Sequence, residues 1–326
     1  MLPLLWKRLY RKDRSRSDGV TGISLEKTGM CLAHVQTDEG GAPRLLHGGF
    51  YPCKEHERAP ELTLVLKSLG LSGSCGRLIL DRTDYRVFQA PIPDVPPGEV
   101  REALRWRMQE LLDFPADEAE IEYFPIPSTS KSGGGGMVNA VVCHKTLLQS
   151  HSALCETAGI ELEAIDIAEL ALRNLAVRLP ESEQGVALLH LEETRGIVQL
   201  QKGGVVYISR NLDFGARQMD ATFSLEDNSP GGGVIDRLAL EIQRSLDYYE
   251  SHFGMSPIAR LVVAPIAGNT QDLVDRLNQA LGMITRAMDV SALIPCSERL
   301  DDATQQRCLP AIGVALGRMA RYEPGN

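Results

Sequence analysis

The sequence has no long hydrophobic run and no excess of positive charge, and each absence excludes a class of function. No apolar stretch approaches the ~18–20 residues of a membrane-spanning helix. The opening segment is not typical of a secretory signal, because its apolar stretch is short and its charges follow it. The net charge of −9 argues against a nucleic-acid surface. A chain of 326 residues with 43% hydrophobic and 24% charged residues is instead typical of a soluble globular protein of one or two domains.

Metal and nucleophile patterns are also missing. The seven cysteines follow no repeating interval, and their odd number argues against a full disulfide framework, which favours the cytoplasm. Cys53 and His56 have a C-x-x-H spacing, but no second pair stands at ligand spacing, so we do not predict a zinc site. Cys143 and His144 are neighbours in a predicted strand and point to opposite faces, which favours packing over catalysis. Asp166 precedes a predicted helix, and we interpret it as an N-cap or turn acceptor.

The first 18 residues differ in charge from the rest of the chain. They hold six Lys or Arg against two Asp, a side-chain charge of +4, which leaves −13 for the remainder. Apolar residues fall on one face at helical spacing, with basic residues around them. Such a segment either lies on an anionic membrane surface, docks on a partner, or is a charged tail without a partner. The residues expected to contact a membrane are Leu5, Trp6, Lys7, Arg8, Arg11 and Lys12.

The order of predicted elements occurs twice along the chain. Residues 20–35 alternate as a β-hairpin, a third strand follows near 45–51, and helices then alternate with strands. At about 180–184 the pattern restarts, and residues 185–215 predict three strands joined by two turns, again followed by helices and strands. This duplication predicts an α/β protein of two similar lobes with a cleft between them.

Each predicted lobe begins with a hairpin whose turn is charged, SLEKTG in the first and HLEETRG in the second. Paired hairpins can hold phosphates when their turns are glycine-rich and an acidic residue ends the preceding strand. Here Ser24 and His190 stand at the acidic position. Glu26, Glu192 and Glu193 occupy the turns, and at ~4 Å each carboxylate would oppose a unit negative charge by ~1 kcal/mol in water. We therefore do not predict phosphate transfer.

Longer motifs resemble a known family. DYRVFQAPIP and EALRWRMQELLDFPADEAEIEYFPI look like the segment of the PilM-like proteins in which an amphipathic helix, a Pro-containing turn and a strand follow one another. VNAVVCHKTLLQSHSALCETAGIELEAIDIAELALRNLA, LALEIQRSLDYYESHFG and LPAIGVALGRM are also similar to the family. LRWRMQELLDFP most resembles the MshI branch, which belongs to mannose-sensitive haemagglutinin (MSHA) pilus biogenesis. The resemblance covers nearly the whole chain after residue 19.

The resemblance implies an actin-like α/β fold of two RNase H-like lobes, each with a mixed sheet flanked by helices, and a cleft between them. We expect a basic amphipathic tail at 1–18 and lobe I at 19–180, with an inserted subdomain at about 85–140. Lobe II is expected at 181–326, with a reduced subdomain. The final helix, at about 305–320, would pack back toward lobe I.

The resemblance also implies a function. Members of the family work in the cytoplasmic part of a type IV pilus or type II secretion machine, and those with intact sites bind ATP between the lobes. They bind the cytoplasmic N-terminal segment of a single-span inner-membrane protein. We therefore expect a cytoplasmic scaffold, peripherally associated with the inner membrane, with an assembly ATPase as a second candidate partner.

The chain departs from the family's nucleotide site. Both hairpins lack the expected Asp and Gly residues, a short polar loop replaces a helical subdomain in lobe II, and segment 264–268 keeps one glycine where a pair would face adenosine. We predict a degenerate site without catalytic residues, metal or cofactor. The alternative is a working Mg-ATPase that uses Lys27, Thr28 and Thr194. The cleft positions in this hypothesis are Ser24, Glu26, Lys27, Thr28, His190, Glu192, Glu193, Thr194 and Gly268.

A partner groove is expected beside the extended segment 85–93, which could pair with a partner strand. A helix predicted over 99–114 would form one wall. Aromatic residues are enriched at interfaces, so the expected anchors are Tyr85, Phe88, Trp106 and Phe114. The alternative for Phe88 and Phe114 is a place in the core.

Overall fold

A computed structural model describes residues 19–126, 136–219 and 233–317 of the chain. The described residues form two lobes that repeat one sheet topology, together with a smaller sheet inserted in the first lobe. The predicted membrane-contact residues in the tail at 1–18 lie outside the described residues, and so does most of the short polar loop of lobe II, at 220–232. Within the described ranges no helix is long and apolar enough to cross a membrane.

Lobe I is a five-stranded mixed sheet with helices on both faces. In chain order its elements are β1 (Val20–Glu26), β2 (Gly29–Thr37), β3 (Pro43–Pro52), α1 (Arg58–Ser68), β4 (Cys75–Ile79), the inserted β5 (Tyr85–Pro91), α2 (Val100–Met108), β6 (Ala119–Ile126) and β7 (Met137–His144), and then α3 (Lys145–Ala158), β8 (Glu161–Asp166) and α4 (Ala168–Ala176). The strand order is β3-β2-β1-β4-β8, with β1 antiparallel to β2 and parallel to β4. Successive residues of β2 point to opposite faces and both sets are buried, so Met30 and Leu32 pack with α1 and α3.

Lobe II repeats this arrangement. Its elements are β9 (Val186–Leu191), β10 (Gly196–Lys202), β11 (Val205–Leu212), α5 (Val234–Phe253), β12 (Arg260–Val263), α6 (Thr270–Leu281), β13 (Ile284–Ala287), α7 (Val290–Leu293) and α8 (Asp302–Ala315). The strand order is β11-β10-β9-β12-β13, with β9 antiparallel to β10 and parallel to β12. Helices α5 and α6 cover one face of this sheet. Each helix has apolar side chains at helical spacing along one side, and these are buried in the core of lobe II.

The inserted subdomain is an antiparallel sheet of order β5-β7-β6 with α2 packed on it. Val100, Leu104 and Met108 of α2 are buried against the sheet. At the far end, Ile126 of β6 packs into the core of lobe II and Met137 lies against the same core. The subdomain therefore contacts both lobes.

Helix α2 is shorter than the predicted helix over 99–114. It ends at Met108, a single 3₁₀ turn follows, and Leu112 is already extended with φ −91° and ψ 147°. The apolar spacing continues through Leu111, but that side chain is 51% exposed. Pro115 does not account for this early end, because a proline keeps only the residue before it, Phe114, out of the helical region.

Helices α4 and α8 lie between the two sheets. One apolar cluster joins Cys31 and Ala33 of β2, Leu188 of β9, Leu172 of α4 and Ile312 of α8. It therefore contains side chains of both lobes and is continuous across their junction.

Helix α8 approaches lobe I so closely that glycine is required at two contacts. A Cβ on Gly22 of β1 would lie 1.9 Å from the carbonyl oxygen of Ala311, and a Cβ on Gly313 would lie 2.4 Å from that of Ala171. These distances are far below any van der Waals contact. The final helix, which runs over 302–315, is thus seated on β1 and α4 of lobe I.

Candidate functional site

The two charged hairpins face each other across the cleft between the lobes. Lys27 and Thr28 form the exposed turn of the first, and residues 192–195 form the turn of the second. Burial raises the pKa of Glu26, the negative charges of Glu192 and Glu193 raise it further, and Arg307 opposes them. The three glutamates therefore share one electrostatic environment, and the guanidinium of Arg307 lies 3.9 Å from the Glu26 carboxylate.

His190 lies at the end of β9, beneath the second turn. It is 1% exposed, and neither ring nitrogen has a hydrogen-bond partner among the described residues. The neighbouring strands bury the ring among groups that do not reach it. Burial lowers the pKa of His190 to about 4; Glu192 acts against this, and Arg82 and Arg195 add to it. The imidazole is neutral at physiological pH and cannot replace a metal-binding carboxylate by charge.

Four charged side chains span the cleft beside the hairpin turns. Arg195 donates from Nη1 and Nη2 to the two carboxylate oxygens of Asp81, at 2.9 and 2.7 Å. Arg82 Nε lies 3.3 Å from Glu192 Oε1, and Glu192 also accepts from Arg195 Nε. Asp81 and Arg82 follow β4 of lobe I, whereas Glu192 and Arg195 belong to the hairpin of lobe II. The lobes are thus linked by two ion pairs at the place where the hairpins converge.

The electrostatics of these groups follow from that pairing. Burial by itself raises the pKa of Asp81, but hydrogen bonds from Arg195 and from the amide and hydroxyl of Thr83 outweigh it, and the pKa is about 2. Burial acts to lower the pKa of Arg195, but its hydrogen bonds to Asp81 and Glu192 raise it overall. Both groups are fully charged at neutral pH.

In the loop at 264–268, one backbone N–H is already hydrogen-bonded to a side chain of the protein. Gln306 of α8 accepts from the backbone N–H of Ala267 at 2.8 Å and donates to the carbonyl of Leu191 at 2.7 Å. Gly268, with φ 111°, continues the loop as an exposed residue. A glutamine of the final helix therefore bridges the loop predicted to face adenosine and the end of β9.

The predicted cleft positions other than Gly268 lie in the two hairpins, with Ser24 buried in β1 and Thr194 exposed in the second turn, and Gly268 lies in the loop after β12. Asp81, Arg82 and Arg195 were not among the residues predicted from the sequence. The sequence carried a signal for two of them, because Asp81 and Arg82 come one residue after the buried parallel strand β4. Binding sites in α/β proteins often lie at the carboxyl ends of such strands.

Other candidate chemistry is absent from the described ranges. They contain no group of three or more His, Cys, Asp or Glu placed to hold a metal ion, and all seven cysteines are free thiols. Asp166 accepts from the amide of Ile167 at 2.9 Å, so it is a turn acceptor, and Ile167 is the helix N-cap. Surface cavities of about 320 and 420 Å³ lie away from both hairpin turns.

The four predicted partner anchors fall in different environments. Tyr85 is 7% exposed, and its hydroxyl donates to Glu169 at 2.6 Å and accepts from the amide of Ala168 at 3.2 Å. Its assignment as a surface anchor is therefore wrong, because the residue ties β5 to the start of α4. Phe88 and Phe114 are half-buried against the core of the inserted subdomain. Trp106 is 62% exposed on α2.

The sheet topology identifies the fold, and solved structures share it. The duplicated sheets with a cleft between them are the actin-like fold, as the sequence analysis predicts. No family model and no curated protein matches the chain. Among solved structures, it is similar to the PilM-PilN type IV pilus biogenesis complex, with a TM-score of 0.67 and 19% sequence identity, over 93% of this chain and 98% of that one.

A second solved structure shares the fold. The cytoplasmic domain of EpsL, an inner-membrane component of the type II secretion system of Vibrio cholerae, has a TM-score of 0.50 and 11% identity, over 92% of this chain and 95% of that one. At these identities the likeness establishes the common fold.

Proposed function

We propose that this protein is a non-enzymatic scaffold of a type IV pilus assembly machine, in the cytoplasm and peripherally associated with the inner membrane. It would bind the cytoplasmic N-terminal segment of a single-span membrane protein. The observation that carries the proposal is the end-to-end likeness to PilM in its complex with PilN, which includes both lobes and nearly the full length of both chains. The LRWRMQELLDFP motif, at residues 104–115, supports a finer assignment to the MSHA branch.

A degenerate nucleotide cleft supports the non-enzymatic role. Phosphate binding needs free backbone N–H groups and positive charge or a metal ion. Here Glu26, Glu192 and Glu193 line the hairpins, the side chain of Gln306 takes the Ala267 amide, and the nearby arginines are paired. An uncompensated glutamate opposes a unit negative charge at ~4 Å by about 1 kcal/mol in water and by more in a sheltered cleft. The arginines paired with Glu192 and Glu193 offset part of that repulsion.

Isothermal titration with Mg-ATP tests this part of the proposal. We expect no heat of binding at millimolar nucleotide. A variant with Glu26 and Glu193 changed to Gln is the matched comparison, because it lowers the negative charge of the hairpins and leaves Glu192, with its ion pairs between the lobes, in place. Any affinity gained measures the repulsion that these two carboxylates exert. Micromolar binding by the unaltered protein would overturn the non-enzymatic proposal in favour of an ATP-binding actin-like ATPase.

The partner groove is proposed to lie along β5 and α2. Strand β5 is an edge strand of its sheet, with β7 on its one paired side in the described part of the chain, so its other side can accept a partner strand. Trp106 stands exposed on α2 and is the anchor retained from the sequence prediction. Phe88 and Phe114 support the wall of the groove from the subdomain core.

A pull-down with the N-terminal segment of the single-span membrane protein tests the groove. We expect Trp106→Ala to weaken binding by about tenfold or more, as for aromatic hot spots. Tyr248→Ala is the matched control, because Tyr248 is an exposed aromatic residue of α5 on the other lobe. Normal binding by a folded Trp106→Ala variant would place the partner elsewhere.

A further inference from the structure

The charged side chains that cross the cleft differ from ordinary surface ion pairs. Asp81, Arg82, Glu192 and Arg195, here called the latch, are two acids and two bases with one of each sign on either lobe. The side chain of Arg82 is 6% exposed, and those of the other three are 22–27% exposed. The group is electrically balanced, so it needs no further anion or cation in the cleft.

The latch is presented by rigid backbone on the lobe II side. The amide of Ala216 donates to Glu192 O at 2.8 Å, the amide of Arg217 donates to Glu193 O at 2.9 Å, and the amide of Glu192 donates to Arg195 O at 2.8 Å. Gly215 packs so tightly behind the turn that a Cβ there would lie 2.5 Å from the amide nitrogen of Arg195. Arg195 therefore reaches across the cleft from a turn whose backbone is held by hydrogen bonds within lobe II.

The lobe I side is similarly fixed. Thr83 donates from both its amide and its hydroxyl to Asp81 Oδ1, at 2.9 and 2.7 Å, and so orients the carboxylate. Arg82 reaches further and donates from Nη1 to the carbonyl of Gly196 at 2.7 Å and to Asn211 Oδ1 at 3.2 Å. One arginine from each lobe thus binds oxygens of the opposite lobe.

We propose that the latch holds the two lobes closed without any nucleotide. Here Arg195 and Asp81 supply a direct bridge, and α4 and α8 provide the packed junction about which the lobes would separate. The closed arrangement is therefore a property of the chain itself. This inference is independent of the pilus role.

Hydrogen–deuterium exchange on the full chain tests the latch. Arg195→Gln removes the charge-assisted bonds, each of which stabilises by more than a neutral hydrogen bond. We expect amide exchange to become about ten- to hundredfold faster at residues 79–84 of lobe I as well as at 190–197 of lobe II. Small-angle X-ray scattering should record a larger radius of gyration for the same variant.

Arg286→Gln is the matched control. Arg286 makes an equivalent two-pronged ion pair with Glu181, at 2.8 and 2.7 Å, but both residues belong to lobe II. We expect faster exchange near that pair alone and an unchanged radius of gyration.

Two results would overturn the latch. One is exchange in Arg195→Gln that rises only in lobe II while the scattering stays the same, because the pair would then be a local contact. The other is added Mg-ATP that increases protection of both hairpins in the unaltered protein, because closure would then depend on nucleotide. Since neither readout involves a pilus partner, failure of the latch and failure of the proposed scaffold role are distinguishable.

Discussion

The buried imidazole of His190 should make the stability of the protein depend on pH. The ring is enclosed at the end of β9 without a hydrogen-bond partner among the described residues, and burial lowers its pKa to about 4. In the unfolded chain its pKa returns to about 6.5. Between these two values the unfolded state binds more protons than the folded state. The free energy of unfolding should therefore fall as the pH is lowered from 6.5 to 4.

The size of this effect follows from the two pKa values. A difference of about 2.5 units at 1.36 kcal/mol per unit gives a loss of about 3 kcal/mol when the pH has fallen to 4. Well above pH 6.5 the ring is neutral in both the folded and the unfolded state, so His190 does not lower the free energy of unfolding there. A typical domain has a total stability of about 5–15 kcal/mol, so the loss is a large fraction of it.

Urea unfolding at several pH values from 7.5 to 4.5 measures the effect. His190→Leu keeps the site apolar and removes the titrating group, so its free energy of unfolding should fall less steeply below pH 6.5 than that of the unaltered protein. His56→Leu removes an exposed histidine and is the control for the loss of one histidine side chain. The remaining histidines are the same in all three proteins, so differences between the profiles come from the substituted histidine alone. Parallel profiles for His190→Leu and the unaltered protein would refute the reasoning.

Three further predictions concern the junction, the latch and the tail. Gly313→Ala should lower the melting temperature through a loss of about 1–3 kcal/mol, because its Cβ would clash with the Ala171 carbonyl, whereas Gly98→Ala, in open space, should not. Asp81→Asn should destabilise the protein by about 2 kcal/mol at pH 7 in urea unfolding. The free energy of unfolding of the unaltered protein should fall as the pH drops from 3.8 toward 2, where Asp81 becomes protonated, and this part of the fall should be absent from the variant. Deletion of residues 1–18 should reduce co-sedimentation with anionic liposomes at low salt and have little effect at high salt; equal binding by the shortened chain would exclude a membrane role for the tail.

The architecture could be predicted from the sequence because its signals are local. Alternating apolar residues and short turns mark the hairpins, and the same succession of elements occurs twice, so the two lobes follow without knowledge of any distant contact. The charged turns at Glu26 and Glu192 were likewise visible in the sequence. Their mutual approach followed from the duplication alone.

The contacts that cross the molecule could not be predicted in this way. Arg195 and Asp81 are 114 residues apart, and no spacing rule connects them. Tyr85 looks like an exposed aromatic residue of an edge strand, but its hydroxyl finds Glu169, 84 residues away, in the interior. The early end of α2 also escaped prediction, because the apolar period continues past the residue where the backbone leaves the helix.

The position of α8 has a consequence for how the chain folds. This helix covers one face of the lobe I sheet, where Arg77 of β4 donates to the carbonyl of Val314, 237 residues further along. Contacts at such separation form slowly, because a long loop must close before they are made. During synthesis the β2 face that holds Cys31 and Ala33 has no cover until residues 302–315 have been added. Lobe I is therefore the first lobe to be made, but this face of its sheet stays open until α8 has been made, and an open apolar face is of the kind that chaperones bind.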